Sequence, residues 1–171
     1  MISSILKSRF NNRMKDVSGF TMLEMMIIVV IIGIASAIAV PTLWGAMPRL
    51  RARGEARAVL NKIREARSRA ISDGIQVGIH YDTDTREVFV YKDYIDPLDY
   101  TYEEGEPIIG TKYQMDERVS VIRNEFVGGT LVFLPDGQAS QSGTFTVRGG
   151  DEGGPVYTIS VIGPTGRAKV S

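Results

Sequence analysis

The sequence predicts an α+β fold: a long N-terminal helix, first transmembrane and then amphipathic, packed on a C-terminal antiparallel β-sheet domain. Three observations carry that expectation. Residues 20–40 form an apolar run of 21 residues broken only by the carboxylate of Glu24. Apolar residues then recur at spacings of three and four as far as Ile71, the periodicity of a helix with one buried stripe. From Ile75 onward the period shortens to two, the signature of strands. The chain therefore divides into a leader (1–19), a transmembrane helix (20–41), an amphipathic helix (42–74) and a β-rich globular domain (75–171).

The leader carries Lys7, Arg9, Arg13 and Lys15 against Asp16. It is a targeting segment and takes no part in the fold. The apolar run that follows is long enough to cross a hydrocarbon layer of about 30 Å as a helix. A carboxylate within such a span costs on the order of 2.5–3.5 kcal/mol at the bilayer centre and less near an end. Pro41, Gly45 and Pro48 predict a kink or a locally unwound turn just beyond the span. Past them, Ala56, Val59, Leu60, Ile63, Ala66, Ala70 and Ile71 form one apolar stripe, and Gly74 is placed to cap the helix in the left-handed conformation.

The strand-like segments follow in order. IQVGIHY (75–81) and REVFVYK (86–92) flank Asp82-Thr83-Asp84-Thr85 and read as a hairpin. Residues 93–117 are acidic and tyrosine-rich, with Pro97 and Pro107, and read as an inserted loop with one short strand near 108–113. RVSVIR, TLVFL, TFTVR and VYTISVI are further strands, separated by glycine-rich or Pro-Asp-Gly turns. A last hairpin turns at Gly163-Pro164-Thr165-Gly166 and returns through Arg167 to Val170.

Removing the leader leaves 152 residues, about 100 of them beyond the helical region, enough for one small domain with a modest core. The chain has no cysteine, so it folds without disulfides and has no thiol chemistry. Its net charge of zero hides a strong segregation. Residues 42–72 carry eight basic side chains against Glu55 and Glu65, whereas residues 73–125 carry thirteen acids against five bases. Such asymmetry points to ordered electrostatic contacts within the molecule or between subunits. Orientation in a membrane does not follow from charge, because four Lys or Arg residues precede the span and four lie between Pro41 and Arg57.

The stretch Ser18-Gly19-Phe20-Thr21-Met22-Leu23-Glu24, with its basic leader and apolar continuation, resembles the type III signal peptide of type IV pilins and type II secretion pseudopilins. The resemblance implies that a membrane prepilin peptidase cuts between Gly19 and Phe20. It also implies N-methylation of the new N-terminal Phe20, with Glu24 as the fifth mature residue. Pro41 matches the same pattern. Within that family ARSRAISDGIQVGI (66–79), FLPDGQAS (133–140) and SVIGPTGRAKV (160–170) resemble the GspH/FimT branch of minor subunits. The resemblance implies a minor pseudopilin or minor pilin near a filament tip, acting in secretion or pilus assembly and catalysing nothing. It implies an inner-membrane location with the C-terminal domain outside the cytoplasm. The implied partners are the prepilin peptidase, other pilins or pseudopilins, an inner-membrane assembly platform and membrane lipid, with no cofactor.

Helix physics agrees with assembly. An all-apolar helix leaves lipid when similar helices bundle around it, and Gly33, Ala35, Ser36, Ala37 and Ala39 suit close packing. Glu24 then pairs with the free amine at Phe20, either a neighbour's or its own.

Other chemistry finds less support. His80 is the only histidine, so neither a transition-metal site nor a Ser-His-Asp triad is expected. Asp82, Asp84, Asp93, Asp96 and Asp99 lack the glycine and terminal glutamate of an EF-hand loop and read as solvated acids, with no metal expected. The helix arginines cover a solvated face and pair with acidic partners. The alternative is a FimT-like minor pilin that binds DNA for natural transformation, through Arg148, Arg167 and Lys169. That side of the branch has a glycine-arginine-x-arginine tail, where this chain reads Gly166-Arg167-Ala168-Lys169. Lysine keeps the charge but loses the bidentate fork.

Overall fold

A computed structural model of the chain describes residues 19–171; the leader's Lys7, Arg9, Arg13, Lys15 and Asp16 lie outside them. The chain forms two compact units, one ending at Pro41 and one comprising Thr42–Ser171. Helix α1 (Met22–Asp73) contributes to both. Its hydrogen-bonded pattern continues through Pro41, Gly45 and Pro48, so the expected unwound turn is absent. Each proline removes one N–H donor to the residue four earlier, and the neighbouring bonds carry the helix past the gap.

In the first unit the helix exposes its apolar side chains, with Met22 84% and Ile38 69% accessible. By length and composition it can cross a membrane.

In the second unit α1 buries Ala52, Glu55, Ala56, Val59, Leu60, Ile63, Ala66 and Ala70. This is the expected stripe with three changes. Ala52 and Glu55 join it, and Ile71 is half exposed because Ala70 takes the core-facing position about 100° away around the helix. Gly74 follows the helix at φ +67°, the expected left-handed cap, and its N–H donates to the Ala70 carbonyl at 3.1 Å.

Eight strands follow: β1 (Val77–Asp82), β2 (Glu87–Lys92), β3 (Ile108–Gln114), β4 (Val119–Asn124), β5 (Thr130–Phe133), β6 (Gly143–Gly149), β7 (Val156–Ile162) and β8 (Arg167–Val170). They form two antiparallel four-stranded sheets, ordered β3-β2-β1-β5 and β4-β6-β7-β8. Asp82 closes the β1–β2 turn by accepting the N–H groups of Asp84 at 2.9 Å and Thr85 at 3.2 Å. Ile79, Val90, Leu131 and Phe133 of the first sheet meet Phe145, Val147, Ile159 and Val161 of the second in one core beneath α1.

Residues 93–107 form a strap over the outer face of the first sheet. Tyr100 and Tyr102 pack there against Phe89, Tyr91 and Val132. The Tyr102 ring lies 5.0 Å from each of the His80, Phe89 and Tyr91 rings. Of the acids read as solvated, the strap corrects Asp93. Asp96, Asp99 and Glu104 are exposed, but Asp93 and Glu106 are only 2% and 4% accessible. Glu106 accepts the backbone N–H groups of Tyr94 at 2.8 Å, Ile95 at 3.3 Å and Glu103 at 3.1 Å, which ties the strap to its own base. With its amide turned toward Asp93, Gln76 donates to Asp93 Oδ2 at 3.1 Å.

Burial, reinforced by Glu106, Asp99 and Asp96, pushes the Asp93 carboxyl up to about 6. An unfolded aspartate titrates near ~3.9. Between pH 4 and 6, roughly, the unfolded chain therefore releases a proton that the folded chain keeps, and stability falls as pH rises through that window. Asp93→Asn removes the charge, keeps an acceptor for Gln76 and supplies a donor toward Glu106. At pH 7.5 the variant is expected to be more stable by on the order of 1–2 kcal/mol, with a flatter profile between pH 4 and 6. A lower melting temperature than wild type at pH 7.5 contradicts this account of Asp93.

Candidate functional site

The N-terminal site is built on a helix start. Gly19 and Phe20 precede the helix, Phe20 is 71% exposed, and among the described residues nothing lies within 4 Å of where a Gly19 Cβ would stand. Thr21 caps α1: its Oγ1 accepts the backbone N–H of Glu24 at 3.1 Å, and its carbonyl accepts that of Met25 at 3.2 Å. Thr21 and Glu24 thus have the spacing of a capping box. A carboxylate in the first turn also complements the positive end of the helix dipole. The Thr-x-x-Glu signal ahead of an apolar run was visible in the sequence, where Glu24 reads only as an assembly residue. Among the described residues none pairs with the Glu24 carboxylate, so capping through Thr21 leaves it available.

The proposed nucleic-acid residues are not brought together as one site. Lys169 stands opposite Ser160, which stands opposite Thr144. Arg148 lies four residues further along β6, about 13 Å away along the strand. Arg167 and Lys169 are exposed on β8, whereas Arg148 is half-buried and its Nε is enclosed without a hydrogen-bond partner.

His80 has a structural setting. Its Nδ1 lies 2.9 Å from Thr130 Oγ1, its ring packs beside Phe89 and Tyr102, and burial lowers its pKa. Among the described residues no three His, Asp or Glu side chains form a group that could hold a metal.

Glu55 is the residue that sequence reasoning missed in the domain. The Tyr113 hydroxyl donates to its Oε2 at 3.0 Å and the Asp116 N–H to its Oε1 at 3.3 Å. Burial first, then the bond to Glu55, pushes the Tyr113 hydroxyl up to about 12. One buried carboxylate thereby ties β3 and the β3–β4 connection to the helix. Its place beside Ala52, Ala56 and Val59 on the helical repeat was the available signal.

Comparison with known proteins extends these observations. The family model described as type II transport protein GspH matches residues 55–165, and that of the prokaryotic N-terminal methylation motif matches residues 14–40. No curated protein sequence matches the chain. The fold is similar to that of the minor pseudopilin EpsH from the type 2 secretion system of Vibrio cholerae. The TM-score is 0.53 at 16% identity, over 71% of this chain and 96% of that one. It is also similar to the type IV minor pilin FimU of Pseudomonas aeruginosa, with a TM-score of 0.58 at 15% identity, over 72% and 90% of the two chains. Identities this low establish a shared fold.

Proposed function

Since the chain belongs to the family of type II transport protein GspH and is a minor pseudopilin or minor pilin, we propose that it is made as a precursor and assembled near a filament tip. Its role there is structural. It is inserted in the inner membrane with the leader in the cytoplasm and residues 42–171 outside. Prepilin peptidase cuts between Gly19 and Phe20, and Phe20 is N-methylated. Glu24 then directs docking onto other pilin-type subunits, with lipid replaced by neighbouring helices and an inner-membrane platform driving the step.

One observation supports this sequence of events above the others. The methylation motif at residues 14–40 encloses Gly19, Phe20 and Glu24, and α1 starts two residues past Phe20. The peptidase thus meets a non-helical Gly-Phe bond at the mouth of an exposed apolar helix. The DNA reading has no comparable support, because Arg148 stands apart from Arg167 and Lys169.

A glycine lets an extended backbone enter a protease site without a side chain in the way. Gly19→Leu is therefore expected to leave the precursor uncut, whereas wild type yields a mature chain beginning at methylated Phe20. N-terminal sequencing decides it: Phe20 at the N-terminus of the Gly19→Leu protein would sink the assignment.

A further inference from the structure

Three arginines near the start of the second unit lack the acidic partners that the sequence led one to expect. Arg51 reaches Asp116 at 3.8 Å, and buried Glu55 is committed to Tyr113 and the Asp116 N–H. Arg49, Arg53 and Arg57 are exposed, and among the described residues none of them forms an ion pair. They stand one per helical turn along a cleft of about 400 Å³, walled on its other side by Tyr157, Val170 and Ser171. No aspartate or glutamate side chain lines that cleft. Ser171 accepts the Thr158 N–H at 3.1 Å, which leaves the three guanidinium groups in excess. The cleft is also held in shape. A Cβ at Gly149 would overlap the Pro48 carbonyl oxygen, so the turn that leads into β7 is pressed against the helix beside Arg49.

Chain length says what adjoins these arginines. The 24 residues between Glu24 and Arg49 carry no charge and measure about 36 Å as a helix. A hydrocarbon layer of about 30 Å entered at Glu24 is filled by the time the chain reaches Trp44. Trp44 is the only tryptophan and is 73% exposed, and indole rings favour that boundary. Arg49 follows five residues later, about 7.5 Å on, at the depth of the headgroup layer. Helical side chains lean toward the helix N-terminus, so the long side chain of Arg53 reaches back to the same layer. Arg57 stands one turn further out and acts at longer range.

Resting on the inner-membrane reading, we propose that this cleft holds the phosphate of an anionic phospholipid headgroup, gripped by Arg49 and Arg53. A guanidinium fork matches two phosphate oxygens with two donors. Headgroups adjoin Arg49 from insertion onward, whereas an acidic partner subunit is met only when the chain docks. Asp151 and Glu152 are exposed on the β6–β7 turn, so the attraction is confined to the arginine side. A long polyanion is disfavoured by the thirteen acids of residues 73–125.

The full-length chain in neutral detergent is mixed with phosphatidylglycerol or phosphatidylcholine, and the lipid retained per chain is counted by native mass spectrometry. Phosphatidylglycerol should be preferred. Arg49→Gln and Arg53→Gln should each cut its retention about fivefold, and Arg57→Gln less. Arg64→Gln with Arg69→Gln should leave it unchanged, since Arg64 stands about 22 Å beyond Arg49. All these side chains are exposed, and unchanged melting temperatures confirm that the variants fold. Equal retention of the two lipids overturns the proposal, and so does indifference to Arg49 and Arg53. Displacement of the lipid by equimolar inorganic phosphate, or by DNA at equal phosphate, overturns it as well. In vesicles, bromines near the ester end of the acyl chains should quench Trp44 more than bromines near the chain ends; the reverse order also overturns it. Sedimentation with membranes is read separately. A chain that pellets with membranes but ignores phosphatidylglycerol rejects this site and leaves the inner-membrane reading standing, whereas a chain that stays in solution sinks both.

Discussion

Leu60→Asp is expected to unfold the domain formed by Thr42–Ser171. Leu60 is 7% accessible and belongs to the core that joins α1 to both sheets. Truncating a buried leucine costs ~2–5 kcal/mol. An unpaired carboxylate in the same place adds a desolvation penalty that only protonation relieves. Together these approach or exceed the ~5–15 kcal/mol that hold a domain of this size. The core draws on residues from Ala52 onward, so a fragment starting at Arg49 is expected to fold as a monomer at low concentration and suits the measurement. Ile71→Asp is the matched control on the same helix, because Ile71 is 49% exposed and the charge stays in water. Thermal denaturation followed by circular dichroism should show no cooperative transition for Leu60→Asp and a near-normal one for Ile71→Asp. Equal melting temperatures for Leu60→Asp and wild type would mean that another face of the helix meets the sheets.

Most strands were legible because the information that makes them is local. Alternation places β7 at Val156–Ile162 as read from the sequence, and the Asp-Thr-Asp-Thr turn pairs β1 with β2. Division into two sheets was not legible. It depends on β4 choosing β6 and β5 choosing β1, and alternation names a strand without naming its partner. Buried carboxylates were hidden for a related reason. An acid reads as solvated unless its partners are known, and those of Glu55, namely Tyr113 and the Asp116 N–H, lie about sixty residues away. Asp93 likewise depends on Gln76 and Glu106, which only the strap brings together. The helix through Pro41 and Pro48 shows the converse. Local breakers predicted an interruption, and the continuing helix on both sides outweighed two missing donors. At Glu24 the sequence held two signals, and the processing motif drew attention from the Thr21 cap beside it.

Glu24→Gln carries the other large expected effect. In the proposed reading, cleavage at Gly19 would create a new amine at Phe20, the cation that processing would supply near this carboxylate. Once helices bundle and lipid gives way to protein, a carboxylate and an amine in that apolar core must pair. Breaking such a pair by removing one partner costs ~3–5 kcal/mol, equivalent to a loss in docking affinity of more than about a hundredfold. Insertion and cleavage are expected to survive. The span becomes more apolar without the charge, and Thr21 still accepts the residue 24 N–H. Thr21→Ala separates the two roles, because losing the cap costs the helix start ~1 kcal/mol and leaves the carboxylate in place.

The central claim, that this chain is a pilin-type subunit docked through Glu24, is tested most directly by recovery of its neighbours. Tagged wild type, Thr21→Ala and Glu24→Gln chains are purified from detergent-solubilised membranes of the native host, and co-purifying pilin-type subunits are quantified. Wild type and Thr21→Ala should retain them, while Glu24→Gln should lose nearly all of them despite a normally cleaved Phe20 terminus. Equal recovery by wild type and Glu24→Gln would contradict the claim.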